Sequence, residues 1–349
     1  MNILVLYDLD NNGKTGKSYN NVNCILRPTA RICLFNIIIL DNNIVYKNRI
    51  LNINLFNIVI FNYNEDKLII KNTRDTAEEY TNLFRKKFKN WDNFLEFMIK
   101  IKNIISAKNI KIYNNPENHT TIVNSYNTYE FIKNKNIPIN IPKSRIINSQ
   151  DLDNINNYPI ILSLCEQSGG KFKFLCKNRE ELFKNYEILQ KYNEQDYFNL
   201  NKDIMISEFL DAKIKELDLI LSIRIFCIND ILVDYFSRPS QDWNCRATNQ
   251  ILDKSKLLDA DLFFKKWLEK NSIPFQKILT ALYKNLGYGL YCHDLLIQND
   301  NIYLTELGYK SYDPKYHKLL DKNNIKLNKK HENINLYINY YNKIIRDYL

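Results

Sequence analysis

The sequence predicts an α/β protein built from more than one domain. Its 349 residues are enough for two or three domains with a buried core. Over residues 1–113, apolar runs of strand length alternate with helical periodicity, and farther along the strands come in adjacent pairs joined by short turns. Hydrophobic residues make up 45% and charged residues 25% of the chain, which excludes a disordered chain, a collagen-like repeat and a disulfide-stapled miniprotein.

Residues 1–113 are predicted to form an N-terminal α/β domain. The short apolar run Ile3–Tyr7 is typical of a first buried strand. The further predicted elements are strands at Ile32–Leu40, Leu55–Phe61 and Ile110–Tyr113 and helices at Thr76–Phe88 and Trp91–Ser106. Because strands and helices alternate, we expect a largely parallel sheet.

Residues 114–207 are predicted to form a second domain. A helix is expected from Pro116, a residue favoured at the first helical position, to about Asn136. Two prolines keep Ile137–Pro142 extended. After these come strands at Pro159–Leu164 and Lys171–Cys176, joined by the turn Ser168–Gly170, and a helix at Arg179–Tyr192.

Residues 208–349 are predicted to form a third domain, after a short strand at 204–209. Two hairpins frame it, one with its turn at Asn229-Asp230 and one at Asn299–Asn301. The predicted elements are strands at Leu217–Cys227, Ile231–Ser237, Leu290–Gln298 and Ile302–Leu307, and helices at Ala260–Lys270, Pro274–Leu286 and Asn333–Tyr348. A loop without apolar periodicity, Pro239–Asn249, separates the first hairpin from the helices.

The charge, the cysteine content and the apolar runs predict the type of partner and the cellular compartment of the protein. Lys and Arg number 49 against 39 acidic residues, a net charge of +10, but the lysines are scattered, so we expect a basic surface that attracts an anionic substrate rather than nucleic acid. The 7 cysteines include no Cys-x-x-Cys pair, which favours reduced thiols in the cytoplasm. The N-terminal apolar run is too short for a signal peptide, and no run is long enough to span a membrane.

Two carboxylates on the last hairpin are candidate metal ligands. Asp294 interrupts an otherwise apolar strand, where an unpaired carboxylate is costly, and Glu306 lies on the strand that returns beside it. Facing carboxylates of this kind bind Mg²⁺ together with substrate phosphates. Two charges on a solvated face are the plainer alternative. The neighbouring His293 points to the opposite face and is interpreted as structural.

Arg224 and Arg238 are candidate anion-binding residues on the preceding pair of strands. Arg224 is isolated among apolar residues and therefore needs a partner, either phosphate or carboxylate. The alternative is a structural salt bridge to Asp294 or Glu306.

Two glycine-containing segments are candidate phosphate-binding loops. In Ser168-Gly169-Gly170-Lys171, glycines allow close approach of backbone N–H groups to phosphate, and lysine supplies charge. Asn11–Ser18 approaches a P-loop, but Asn11 stands where the first glycine is needed and no convincing helix follows, so a mobile polar loop is favoured there.

The order of these pieces resembles the ATP-grasp superfamily, especially ribosomal-protein glutamate ligases and glutathione synthetases. The resemblance covers about residues 110–310 and extends less specifically to the N-terminal domain. The motifs that carry it are Asn115-Pro116-Glu117, Asn136-Ile137-Pro138, Pro159–Leu164 with Ser168–Lys171, Ile206–Leu210, Ser222–Phe226 with Asp234–Arg238, Leu286–Asp294 and Tyr303–Glu306.

The resemblance implies a fold with an N-terminal α/β domain before a two-lobed ATP-grasp region, and a function as an ATP-dependent carboxylate–amine ligase. ATP and Mg²⁺ would be the cofactors, and a small-molecule or peptide carboxylate and an amine would react through an acyl-phosphate. Because many proteins of this kind are dimers or tetramers, the resemblance also leaves open a homo-oligomeric state for this chain. The implied residue roles are Arg224 and Arg238 in catalysis, Asp294 and Glu306 on the metal, Ser163, Ser168, Gly169, Gly170, Lys171, Lys173, Glu208, Phe209 and Leu210 on the nucleotide, and Trp243, Asn244 and Arg246 on the substrate.

Three departures from the family pattern keep an alternative open. The chain has Asn124-Ser125 and Ser163 where the family has nucleotide-binding lysines, and Gly308 where it has a metal-binding Asn. Lys171 or Lys173 would partly substitute for the lost lysines. The alternative is a degenerate ATP-grasp protein that binds a nucleotide or a partner without ligation.

Overall fold

The computed structural model describes residues 2–7, 30–62, 87–88, 91–166, 172–194, 203–244 and 253–309. The chain divides into two compact units. Unit 1 comprises Met1–His119, Leu286–Leu290 and Tyr309–Leu349, and unit 2 comprises Thr120–Asn285 and Tyr291–Gly308. The predicted P-loop-like segment Asn11–Ser18, most of the helix Thr76–Phe88 and the terminal helix Asn333–Tyr348 lie outside the described residues.

A parallel sheet is the centre of unit 1, as the alternating pattern predicted. Its strand order is β2-β1-β6-β7, and every neighbouring pair is parallel. The strands are β1 (Ile3–Tyr7), β2 (Ala30–Cys33), β6 (Ile58–Asn62) and β7 (Lys111–Tyr113). Their side chains are largely buried, because helices or loops cover both faces of such a sheet.

A small antiparallel meander in unit 1 corrects the prediction of one strand at Ile32–Leu40. That run is divided by the 3₁₀ turn Leu34–Asn36, after which β3 (Ile37–Leu40), β4 (Asn43–Tyr46) and β5 (Arg49–Ile50) pair in order. Positive φ angles at Asp41, Asn42, Lys47 and Asn48 form its two-residue turns, and Asn and Asp tolerate that conformation well.

One helix of unit 1 has the predicted boundaries, Trp91–Ser106, and is labelled α1. Its buried residues Phe94, Met98, Ile101 and Ile105 recur every three or four positions and therefore share one helix face. The Lys87 ammonium donates hydrogen bonds to the carbonyls of Leu34, the first residue of the 3₁₀ turn, and Ile37, the residue that follows it.

The segment after Pro116 is helical but interrupted, which corrects the prediction of one helix to Asn136. A 3₁₀ turn at Pro116–Asn118 leads into α2 (His119–Val123) and then α3 (Ser125–Asn134). Asn124 separates the two helices because its backbone is extended and its side chain accepts a hydrogen bond from Asn127 N, as an N-cap does.

The first sheet of unit 2 is antiparallel, with strand order β10-β9-β11-β8. Helix α4 (Arg179–Glu194) packs on it through Leu182, Tyr186 and Leu189. The strands are β8 (Ser144–Ile147), β9 (Ile160–Leu164), β10 (Lys173–Cys176) and β11 (Ile204–Glu208). The two predicted strands and the predicted helix are thus present, and the predicted turn Ser168–Gly170 lies outside the described residues.

The second sheet of unit 2 has strand order β12-β13-β15-β16, with β14 paired to β13. The strands are β12 (Lys213–Ile214), β13 (Leu219–Ile228), β14 (Ile231–Ser240), β15 (Leu290–Gln298) and β16 (Asn301–Glu306). Both predicted hairpins, β13–β14 and β15–β16, are therefore found.

The two predicted helices between these hairpins form one kinked helix, α5 (Lys254–Leu286). The backbone of Asn271 departs from helical geometry, and Pro274 follows it inside the helix. A proline lacks the N–H of an interior helical residue and clashes with the preceding turn, which explains the kink. Among the described residues, no helix combines the length and the apolar character needed to cross a bilayer.

Candidate functional site

Asp294 and Glu306 lie directly opposite each other on β15 and β16 of unit 2. The register shifts just after Asp294. Leu295 pairs with Leu304, which leaves Thr305 as the extra residue of a bulge. The Thr305 hydroxyl donates to the Asp294 carbonyl at 3.0 Å, and the Tyr129 hydroxyl donates to the Thr305 carbonyl at 3.3 Å. These contacts hold the bulge, and with it the position of Glu306 relative to Asp294.

Two arginines share the Asp294 carboxylate. Arg224 binds it through two parallel hydrogen bonds, Nε to Oδ1 and Nη2 to Oδ2, each 2.7 Å long. Arg238 Nη2 lies 2.9 Å from Oδ2 and also donates to the Ser222 hydroxyl at 3.0 Å. Ser222 and Arg238 are direct partners in the β13–β14 ladder, so both side chains belong to the sheet face that carries Arg224. Of the alternatives for Arg224, a salt bridge to Asp294 is present.

This cluster is largely shielded from solvent. The side chains of Asp294 and Arg238 are each 11% exposed and that of Arg224 is 23% exposed. Burial works to raise the pKa of Asp294, but the two guanidinium groups outweigh it and hold the pKa well below its ordinary value. Burial likewise opposes ionisation of Arg224, whereas Asp294 raises its pKa above the ordinary value. Asp294 and Arg224 therefore form a charged pair at neutral pH, and Glu306 is a second carboxylate close enough to act on Arg224.

The side chains of this site fit Mg²⁺ only if water and phosphate supply most of its ligands. A carboxylate offers about four lone pairs, and three on Asp294 accept arginine hydrogen bonds, which leaves one on Oδ1. Glu306 is the second carboxylate. Gly308 offers no side chain, and a Cβ there would lie 3.1 Å from the Cys292 carbonyl oxygen. Among the described residues, no group of three or more His, Cys, Asp or Glu side chains has metal-binding geometry. One or two carboxylates still suffice when water and phosphate complete the octahedron.

Ser163 is fully buried on β9, and its hydroxyl has no hydrogen-bond partner among the described residues. Lys173 is its direct partner on β10, so the two side chains project from the same face of the sheet. The lysine therefore lies beside the position where the family pattern has its own lysine. Ser168, Gly169, Gly170 and Lys171 lie outside the described residues.

Glu208 ends β11, and a pair of hydrogen bonds connects it to the segment before β8. Its backbone N–H donates to the Lys143 carbonyl at 2.9 Å, and its side-chain Oε1 accepts from the Lys143 N–H at 3.0 Å. The next two residues, Phe209 and Leu210, are partly exposed. Glu208 Oε2 and the side chains of Phe209 and Leu210 are therefore located at the C-terminal end of β11.

The predicted substrate residues Trp243 and Asn244 lie in the segment after β14, which ends at Ser240, and are partly exposed. Arg246 lies outside the described residues. His293 is buried on the other face of β15 from Asp294 and stacks on Tyr291 at 5.5 Å. Its surroundings agree with the structural interpretation, because burial lowers its pKa to about 4 and keeps the imidazole neutral.

Sequence reasoning missed three residues that organise the site: Ser222, Tyr129 and Lys143. Ser222 stands two positions before Arg224, so the alternation of a strand was a signal that both side chains share a face. Tyr129 and Lys143 act through contacts to residues far along the chain, and no local pattern indicates such contacts.

Comparisons with known proteins bear on this architecture. No protein-family model and no curated protein sequence matches the chain. Among solved structures, the ATP-grasp ligase PsnB complexed with a minimal precursor has a TM-score of 0.52 at 10% identity, covering 98% of this chain and 99% of that one. An ATP-grasp RimK domain protein from Sphaerobacter thermophilus has a TM-score of 0.51 at 8% identity, covering 96% and 98%.

The chain has the ATP-grasp fold. A second PsnB structure, with a phosphomimetic precursor variant, Mg and ADP, aligns at a TM-score of 0.50 over 97% of both chains. The resemblance deduced from the ordered motifs is thereby confirmed at the level of the fold, including the N-terminal α/β region. At these identities the likeness speaks to the ATP-grasp architecture and not to the reaction.

Proposed function

We propose that the chain is an ATP-dependent carboxylate–amine ligase that forms an amide through an acyl-phosphate. The observation that carries the proposal is the single sheet face on which two arginines meet Asp294, opposite Glu306. On an ATP-grasp fold, this combination offers cationic donors for a phosphoryl group and carboxylates for the ion that accompanies ATP. Structural neighbours described as ATP-grasp ligases support the same general kind of activity.

The proposed reaction needs no protein nucleophile. A substrate carboxylate oxygen attacks the γ-phosphorus of ATP, the bond to the bridging oxygen breaks, and ADP leaves. An amine then attacks the acyl carbon of the acyl-phosphate, loses a proton, and displaces inorganic phosphate. Positioning and charge neutralisation supply the catalysis in such phosphoryl transfers.

The proposed residue roles follow the chemistry of each group. Arg224 and Arg238 hold the phosphoryl group, since a guanidinium presents several N–H donors in one plane. Glu306 and the remaining lone pair of Asp294 would hold Mg²⁺, which would supply charge neutralisation for the phosphates. The proposed contacts to the nucleotide and the acceptor are Ser163, Ser168, Gly169, Gly170, Lys171, Lys173, Glu208, Phe209 and Leu210 for the nucleotide and Trp243, Asn244 and Arg246 for the substrate.

A degenerate ATP-grasp protein without ligase activity is the second candidate. Two observations favour it. A buried serine, Ser163, stands where the family pattern has a lysine, and Gly308 is packed so closely on Cys292 that no metal-binding side chain fits there without a shift. Each charge-assisted contact that is missing costs about 1.5–3 kcal/mol of phosphate or metal binding.

Thermal unfolding with nucleotides tests whether the site binds at all. Midpoints are measured with ATP, ADP or GTP, each with and without Mg²⁺. A nucleotide present at about one hundred times its dissociation constant adds about 2.7 kcal/mol of stability to the folded state. A Mg²⁺-dependent increase with ATP that is absent in Glu306→Gln supports the proposal, and no increase at millimolar nucleotide contradicts it.

ATP consumption separates the two candidates once binding is established. Pools of amino acids, peptides and sugar acids are offered with amines, and ADP and phosphate are measured. Release of one ADP and one phosphate per amide identifies a ligase. Nucleotide binding without consumption in every pool favours the degenerate protein.

A further inference from the structure

The Asp294 carboxylate accepts three hydrogen bonds from two arginines, which indicates a role besides metal binding. Both of its oxygens accept from Arg224, and Oδ2 also accepts from Arg238. We propose that Asp294, together with Ser222, positions the guanidinium groups of Arg224 and Arg238 so that both face the terminal phosphate of a nucleoside triphosphate. This inference rests on the proposed function for the identity of the anion.

The contacts define the orientation of both guanidinium planes. Two parallel hydrogen bonds to one carboxylate determine the plane of the Arg224 guanidinium group, because a bidentate pair prevents the rotation that one hydrogen bond would allow. Arg238 has its Nη2 group between Asp294 and Ser222, and two acceptors on one nitrogen determine its direction. Long side chains otherwise lose appreciable rotamer entropy when they bind a ligand. The two arginines are therefore pre-organised.

The donors that remain are suited to an anion. A guanidinium carries five N–H groups, and the described contacts use two on each arginine, so three remain on each. Arg238 Nε is buried and has no hydrogen-bond partner among the described residues. A buried donor without an acceptor is unfavourable, which favours a ligand that brings oxygens.

The sharing of Asp294 points the same way. A structural ion pair is satisfied by one carboxylate for each arginine, whereas here Arg224 and Arg238 both contact the same carboxylate, and the other carboxylate beside it, Glu306, is the proposed metal ligand. Without Asp294, the two guanidinium groups would repel each other in a poorly hydrated place. The carboxylate thus permits two cations to stand side by side while both keep N–H donors for an anionic ligand.

The test compares nucleotides that differ by one phosphate. Affinities of ADP and of the β,γ-imido analogue of ATP are measured by calorimetry at a Mg²⁺ concentration that saturates each variant. Their ratio is the affinity increment of the terminal phosphate. Because the effect of each arginine substitution is measured within one background, a change in metal binding caused by Asp294→Asn is common to both proteins of that pair.

We expect Arg224→Gln to lower this increment at least about tenfold in the wild-type background, since a hydrogen bond to a charged group is lost. In the Asp294→Asn background the same change is expected to lower it less than about threefold, because Arg224 is no longer held. Equal effects in both backgrounds would overturn the inference. Asp300→Asn is the matched control: Asp300 lies on the same hairpin in an exposed ion pair with Lys270.

Ser222→Ala keeps the test decisive if Asp294→Asn does not fold. It removes one acceptor from Arg238 and changes no charge, and we expect it to lower the increment about threefold while leaving ADP affinity and the melting temperature unchanged. An unchanged increment would contradict the positioning of Arg238. If wild type binds neither nucleotide, the proposed function fails instead, which is a distinguishable result.

Discussion

At the scale of single residues, Asp294 shows how one carboxylate satisfies two interpretations of the same pattern. A charge isolated in an apolar strand requires compensation, and a metal ion or a cation both provide it. In the structure the compensation comes from Arg224 and Arg238, and one lone pair of Asp294 is left for an ion. The sequence predicted that a partner exists, whereas the choice of partner depends on three strands that meet only in the fold.

Mg²⁺ binding is expected to require a nucleotide. Among the described residues the site offers Glu306 and part of Asp294 as ligands, so phosphate oxygens and water have to complete the coordination. Calorimetric titration of Mg²⁺ into the nucleotide-free protein should give no heat of binding below millimolar concentrations, and the same titration with ADP present should. Glu306→Gln should remove the second signal. Submillimolar binding without a nucleotide would show a more complete metal site than the one described.

Gly308→Asn is expected to destabilise the protein rather than restore a metal ligand. The Cβ would lie 3.1 Å from the Cys292 carbonyl oxygen, and the backbone hydrogen bond from Cys292 N to Gly308 O, 2.8 Å long, keeps the segment after β16 close to β15. Overpacking of this kind costs about 1–3 kcal/mol of unfolding free energy, measurable by denaturant titration. Gly308→Ala adds the same Cβ and no amide, so it should lose stability as well, which separates the Cβ contact from the amide group. A stable Asn variant with stronger Mg²⁺ binding would contradict the steric explanation.

At the scale of elements, apolar runs predicted strands and helices well but did not predict where each run is divided. Ile32–Leu40 looks like one strand, yet a 3₁₀ turn splits it between the parallel sheet and the meander. The helix after Pro116 is interrupted because Asn124 caps the next helix with its side chain. In the first run, Lys87, far along the chain, donates to carbonyls at the division, and in the second run a side-chain cap inside the run makes it. The periodicity of apolar residues contains no information about either hydrogen bond.

Asp261 on α5 is expected to make stability depend on pH. Burial, and then the neighbouring Asp234, raise its pKa from 3.8 to about 6. Between these values the unfolded chain releases the proton and the folded chain retains it, so stability falls as pH rises through this window. Asp261→Asn removes this penalty and should raise the unfolding free energy at pH 7 by about 1–2 kcal/mol, with no gain near pH 4.

Denaturant titrations between pH 4 and pH 8 measure this difference. Asp259→Asn is the matched control, because Asp259 is exposed on the same helix. A constant difference between Asp261→Asn and wild type across this range would mean that the effect arises from helix propensity or packing and not from ionisation.

At the scale of the whole molecule, the net charge of +10 is expected to strengthen binding of nucleotides at low salt. Scattered surface charges act over a Debye length of about 10 Å at 0.1 M salt, so they contribute a diffuse attraction rather than specific contacts. The affinity for ADP should fall a few-fold between about 50 and 300 mM salt, a range over which screening strengthens. An affinity independent of salt would mean that only the groups in the site act on the ligand.

The sequence by itself determined the class of fold, the order of its elements and the residue types available for chemistry. Those features depend on local periodicity, turn residues and prolines, which act over a few neighbouring positions. Both hairpins of unit 2 and the parallel sheet of unit 1 follow from such patterns. The ordered motifs were enough to indicate the ATP-grasp fold.

Only the tertiary structure decided which charges meet. Arg224 and Asp294 are 70 positions apart, and their bidentate pairing depends on the register and adjacency of strands that no local pattern specifies. Strand pairing also places Ser163 beside Lys173, and tertiary packing places Gly308 against Cys292. A shift of one residue in the register of a strand would move its side chains to the opposite face of the sheet. Local patterns select the groups, and the long-range packing of strands selects their partners.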